Sequence, residues 1–79
     1  MAKLSANGNE ISRYSKITEE EPGRQVRVTY SYRSNGKLLR KIDFKDPRSG
    51  YPSWHGGTFV HVKREIPATL LVKNGYQQD

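Results

Sequence analysis

Residues 25–44, QVRVTYSYRSNGKLLRKIDF, decide the fold. Val26, Val28, Tyr30 and Tyr32 alternate with Arg27, Thr29, Ser31 and Arg33, which is the pattern of a half-buried strand with one apolar and one polar face. Asn35-Gly36 then supplies a residue pair that accepts the positive φ angles of a tight hairpin turn. The return strand, Lys37 to Phe44, puts Leu38, Ile42 and Phe44 on one face and Leu39, Lys41 and Asp43 on the other. Arg40 interrupts the apolar face, so it calls for a place near an edge or for an anion partner.

Outward toward the N-terminus, EISRYSKITEEE (residues 10–21) spaces Ile11, Tyr14 and Ile17 three apart. That spacing predicts one face of a short amphipathic helix ended by Pro22-Gly23. Its serines and β-branched residues are mediocre helix formers, so a strand is the alternative. Residues 1–9 read as flexible, with turn chemistry at Asn7-Gly8-Asn9. Toward the C-terminus, residues 45–57 read as a Pro/Gly-broken loop and residues 58–64 as a third strand. Ile66-Pro67 marks a turn or bulge, Ala68–Lys73 a fourth strand stopped by Asn74-Gly75, and residues 76–79 a frayed tail. The expectation is one α+β domain over residues 1–79: a short N-terminal helix packed on a four-stranded antiparallel sheet. The helix would cover the Val/Tyr/Ile face. The opposite face would display Arg27, Thr29, Ser31, Arg33, Lys41, Asp43, His61 and Lys63 as a cationic platform.

Composition narrows the function. A 79-residue chain that is 33% hydrophobic has room for one thin core. There is no cysteine, which excludes disulfide staples, thiol chemistry and cysteine-ligated zinc. No apolar run approaches the ~20 residues that span a bilayer, and the first ten residues lack a signal-peptide apolar region. A soluble, cytoplasmic protein without a membrane partner is expected. Charge is lopsided: residues 24–73 carry eleven basic against three acidic side chains, whereas residues 1–23 carry three against four. Such a basic segment attracts polyanions, nucleic acid above all, or else acts only as a solubilising surface.

Two histidines are separated by five residues that include Gly56-Gly57. His55 and His61 are the residue type whose pKa suits a general acid and base for metal-independent RNA cleavage. Lys41, Lys63, Arg33 or Arg48 would stabilise the charged phosphorane-like state. The plainer alternative is a strand histidine satisfied by a neighbour and a loop histidine acting as a cap. Asp43, Asp46, His55 and His61 contain metal-ligand types, but no recognised ligand spacing links them and the surrounding positive charge opposes a cation. No metal and no cofactor are expected. Gly56-Gly57 matches no phosphate-loop spacing; it serves a backbone turn or a close approach. Trp54, Tyr51 and Tyr76 are candidates to stack on bases, or to cover the thin core.

The run Leu38-Leu39-Arg40-Lys41-Ile42-Asp43-Phe44, followed by His55-Gly56 and Val60-His61-Val62, resembles the endings of C-terminal toxin domains of bacterial polymorphic (Rhs and contact-dependent) systems. Those carry an R-x-I/V-D-F/Y element followed by histidines in HG and H-x-H contexts. ANGNEISRY and VTYSYRSNGKLLRKIDF are also similar to the YD-repeat rhythm of Rhs carriers. A helix followed by a four-stranded antiparallel sheet is similar to the barnase/EndoU/colicin/RelE-like ribonuclease group. The resemblance covers residues 25–63 and departs at Lys63, which stands where a second histidine would complete H-x-H. It implies that Arg40, Asp43, His55 and His61 are the matching positions. It also implies an acidic immunity protein as partner, and delivery into a target cell within a longer chain.

The leading expectation is therefore a small metal-independent toxin-type ribonuclease acting on RNA rather than DNA. In it His55 and His61 are the acid/base pair assisted by Lys63, and Arg27, Arg33, Arg40, Lys41, Arg48 and Trp54 bind substrate. The alternatives are a non-enzymatic nucleic-acid-binding module on the same basic face, or a phage- or mobile-element-encoded inhibitor whose basic face meets an acidic protein.

Overall fold

Alternation holds through the central hairpin. In the computed structural model, which describes residues 8–79, β2 (Arg24–Arg33) and β3 (Leu38–Asp46) pair without a break from Gln25↔Lys45 to Tyr32↔Leu38. Their turn differs in type from the expected one. Only Gly36 has positive φ (84°), the Gly36 amide donates to the Arg33 carbonyl (3.0 Å), and the Arg33 amide donates to the Lys37 carbonyl (3.0 Å). This is a turn closed by a left-handed glycine, the three-residue alternative to a two-residue Asn-Gly turn.

The expected N-terminal helix is a strand. β1 (Glu10–Glu21) pairs with β2 along almost its whole length, and Pro22-Gly23 is the hairpin turn between them. Proline at the first central position and glycine with φ 87° at the second satisfy a type II turn as readily as they stop a helix. The three-residue apolar spacing misled: Ile11 and Ile17 are 69% and 52% exposed, and only Tyr14 packs on the core. Strand-favouring Ile, Thr and Tyr paired across to β2 outweigh an amphipathic stripe that has nothing to bury.

The single α-helix among the described residues is short and lies near the other end. α1 (Ala68–Lys73), expected as a strand, follows Pro67 and closes on Gly75 (φ 94°). There Tyr76 N–H donates to the Leu71 carbonyl and Gly75 N–H to the Val72 carbonyl, a Schellman cap. Tyr76 leads into β6 (Gln77–Gln78), which pairs with β1 at Tyr14 and Ser15. The tail is thus docked rather than frayed, with the Asp79 amide on the Arg13 carbonyl and its carboxylate accepting from the Ser15 hydroxyl. Of the segment expected to be flexible at the N-terminus, residues 1–7 lie outside the described residues. Asn9 exchanges hydrogen bonds with Ser34.

Residues 45–57 are also ordered into structure. β3 runs on to Asp46, a 3-10 turn (Pro47–Ser49) reverses the chain, and β4 (Tyr51–Gly56) returns along β3. β5 (Val60–Val62) continues in the same direction against the other end of β3. The outcome is one antiparallel sheet of six strands among the described residues, ordered β4-β3-β2-β1-β6 with β5 also on β3, and not a helix on a four-stranded sheet.

The register sorts side chains onto two faces. Tyr14, Val28, Tyr30, Tyr32, Leu38 and Val62 share the face on which α1 sits, and with Ile66, Leu71 and Tyr76 they make the core. The rings interlock edge to face, Tyr14 on Tyr32 and Tyr30 on Tyr76, and the Tyr32 hydroxyl donates to the Ile66 carbonyl. Burial raises the Tyr32 and Tyr76 pKa values, helped by neighbouring tyrosines; Arg40 partly offsets this at Tyr76. No helix among the described residues is long and apolar enough to cross a membrane.

Candidate functional site

The face away from α1 carries Arg27, Thr29, Ser31 and Arg33 from β2 and Leu39, Lys41, Asp43 and Lys45 from β3, as alternation requires. It is not a bare platform. Thr29, Ser31 and Leu39 are at most 3% exposed there, although no helix covers them. Two aromatic rings from the β4–β5 edge lie on this face. Phe59 lies 5.1 Å from the Arg33 guanidinium and 5.0 Å from Lys41 Nζ. Those cations flank the Ser31–Leu39 rung on either side, so a ring reaching both roofs that rung. Trp54 lies 4.5 Å from the Arg27 guanidinium and 5.1 Å from Lys45 Nζ, over the opposite end of the hairpin. Each half-buried ring is thus held between one β2 arginine and one β3 lysine, an arrangement attractive through the ring quadrupole.

Asp43 anchors this face. It is 5% exposed, accepts from Arg27 Nε (3.3 Å) and Nη2 (3.1 Å), and has Lys41 Nζ at 4.0 Å. Two cations, Arg27 and Lys41, thus reach this carboxylate, and Arg33 and Lys45 on the same face leave the patch positive. Gly57 presses onto the same residue: with φ 75°, a Cβ there would overlap the Asp43 carboxylate and stand 2.8 Å from Lys41 Cγ and 3.0 Å from the Ile42 carbonyl. Gly57 is needed for this close approach of the chain to itself. At the β1 end of this face, Glu10 accepts from the Ser31 hydroxyl (2.6 Å) and Arg13 Nε (3.2 Å). Burial opposes its ionisation, but Ser31, Arg13 and Arg33 outweigh that and hold its carboxyl below the ordinary glutamate range.

The two histidines do not converge. His55 is opposite Phe44 on the α1 side of the sheet, 4.8 Å from the Tyr51 ring and 6.3 Å from the Phe44 ring. His61 is opposite Leu39, on the other face. A bulge separates them. Between Asp43↔Gly56 and Arg40↔Val60, β3 spends two residues (41 and 42) and its partner three (57 to 59). One extra residue flips every later side chain to the other face.

The remaining expected residues are scattered. Lys63 and His61 border a groove of about 430 Å³ with Tyr32, Leu38 and Ile66. Arg48, in the 3-10 turn, lies against Gly23. Arg40 is on the α1 side, cross-strand from Tyr30 and Val60. Of the expected substrate-binding set, Arg27, Arg33, Lys41 and Trp54 come together. Phe59 and Lys45 join them, residues to which the sequence reading assigns no role: Lys45 lies in the expected loop, and Phe59 in the expected third strand beside the histidines. The usable signal was an aromatic on each side of the glycine pair facing alternate basic residues. Among the described residues no three His, Asp or Glu side chains cluster as metal ligands.

Compared with protein-family models, with curated proteins and with solved structures, the chain matches none of them, and the geometry alone carries the functional reading.

Proposed function

We propose that the Trp54–Phe59 face binds single-stranded nucleic acid, RNA above DNA, without cutting it. One observation carries this reading: two half-buried aromatic rings on one sheet face, each set between an arginine and a lysine. Single-strand binders combine these two elements, ring faces for bases and cations for phosphates. The separation of His55 from His61 favours binding over acid–base cleavage by that pair.

Trp54 is the only tryptophan, so its fluorescence reports directly on the site. Titration with oligo(U) and oligo(dT) should quench it saturably, with duplex of equal length much weaker. Four phosphate contacts predict a slope of log affinity against log salt of about −3. Binding of Phe59→Ala should weaken roughly 5- to 150-fold with the fold retained, the range for one lost base stack. Absence of binding at low salt, or equal binding by a variant lacking Arg27, Arg33, Lys41 and Lys45, would refute the reading. Cleavage of RNA in EDTA that disappears in His55→Ala or His61→Ala would put the ribonuclease reading in its place.

A further inference from the structure

The helix face of the sheet is only partly covered. Leu71 of α1 and Ile66 close over Tyr30 and Leu38, but Ile42 and Val60 remain 50% and 49% exposed beside them. Leu70 of α1 is 44% exposed and borders a groove of about 500 Å³ that runs between α1 and the sheet along Tyr30 and Tyr76. Arg40 stands amid these groups. Its strand neighbours on this face are Leu38 and Ile42, and its cross-strand neighbours are Tyr30 and Val60. Its Nε is buried without a hydrogen-bond partner, and no ion pair reaches it from the described residues. A guanidinium held in an apolar surface without a carboxylate is costly by itself and strongly favourable once a carboxylate meets it.

We propose that this surface docks an acidic amphipathic segment of a protein partner. Aliphatic side chains of the segment would lie on Ile42, Val60 and Leu70, and one Asp or Glu would pair with Arg40. Charge complementarity selects this occupant. Lys16 and Arg64 border the groove, and Glu65 is the single acid along it. A second copy docked by a two-fold contact would bring Arg40 and its neighbouring cations onto themselves. The exposed groups are mainly aliphatic, which offers bases little to stack on, so the surface is distinct from the Trp54–Phe59 face. Half-buried Arg40 amid apolar neighbours is also of the residue type enriched at the energetic centres of protein–protein contacts.

The test is selection of a random peptide display library on the full chain, with Arg40→Met as counter-selection. Met keeps the apolar stem and removes the charge. Expected are peptides that combine Leu, Ile or Phe with Asp or Glu. Their affinity should fall about 10- to 150-fold on Arg40→Met, the range for losing a hydrogen bond to a charged group. Their amide chemical-shift changes should map to residues around Ile42, Val60 and Leu70. Ile42→Ser, at a half-exposed site that leaves the fold intact, should weaken the same peptides. Enriched peptides without acidic residues, no enrichment at all, or affinities indifferent to Arg40→Met would overturn the proposal. So would sedimentation showing a dimer abolished by Ile42→Ser, or competition by phosphatidylserine vesicles that removes peptide binding.

Discussion

His55 and His61, six positions apart on one edge of the sheet, face opposite sides of it. His55 is opposite Phe44, His61 opposite Leu39, and the one-residue bulge at 57–59 lies between them. On an unbroken strand, residues six apart point the same way. The bulge therefore takes apart a histidine pair and, by the same shift, places Phe59 beside Arg33 and Lys41.

That bulge depends on Gly57. Gly57→Ala should cost about 3 kcal/mol or more, combining positive-φ strain with overlap onto Asp43 and Lys41. Gly56→Ala meets nothing closer than Phe44 Cδ1 at 3.5 Å and should cost only about 1 kcal/mol of backbone strain. Urea unfolding of the two variants checks the order; equal costs would contradict it.

Asp43 stabilises the fold at the expense of positive charge. Asp43→Asn replaces the charged acceptor of two Arg27 hydrogen bonds with a neutral amide and should destabilise by about 1.5–3 kcal/mol. Because the patch gains a charge, low-salt affinity for oligo(U) should rise several-fold. Thermal melts and fluorescence titration measure the two effects separately.

Glu10 gives the fold an acid dependence. Its folded-state pKa lies below its unfolded-state value, so its contribution is present above the unfolded pKa and is lost as pH falls through the folded one. Stability should drop below pH about 4.3, the ordinary glutamate value, and Glu10→Gln should flatten that drop. Urea midpoints from pH 6 down to about pH 3 test this.

At the alkaline end the sign reverses. Tyr32 and Tyr76 have raised pKa values, so their contribution is complete below the unfolded tyrosine value of about 10 and is lost as pH rises through the folded values. Ultraviolet titration should show phenol ionisation from these two residues above the ordinary tyrosine range. Tyr32→Phe should remove one of them and cost about 1 kcal/mol through the lost bond to Ile66.

The C-terminal four residues should matter out of proportion to their number. Deleting 76–79 removes the Tyr76 ring from Tyr30, the Schellman cap of α1 and the β6 cover on β1. A loss of about 2 kcal/mol would lower Tm by roughly 8–16 °C in a domain of this size. Light scattering should also reveal association through the opened β1 edge.

By itself the sequence determined the β2–β3 hairpin, the face of each of its side chains and the excess of positive charge. These follow from period-two alternation, a turn dipeptide and composition, all properties of neighbouring residues. Tertiary structure decided the rest. Residues 10–21 became a strand because β2 offered a full ladder of partners, and residues 68–73 a helix because Pro67 and Gly75 framed a turn that buries Leu71 on the tyrosines. The candidate site turned on a count of residues across two strands, three against two, at a glycine pressed onto Asp43. No local pattern contains that count, because register belongs to the pair of strands and not to either one.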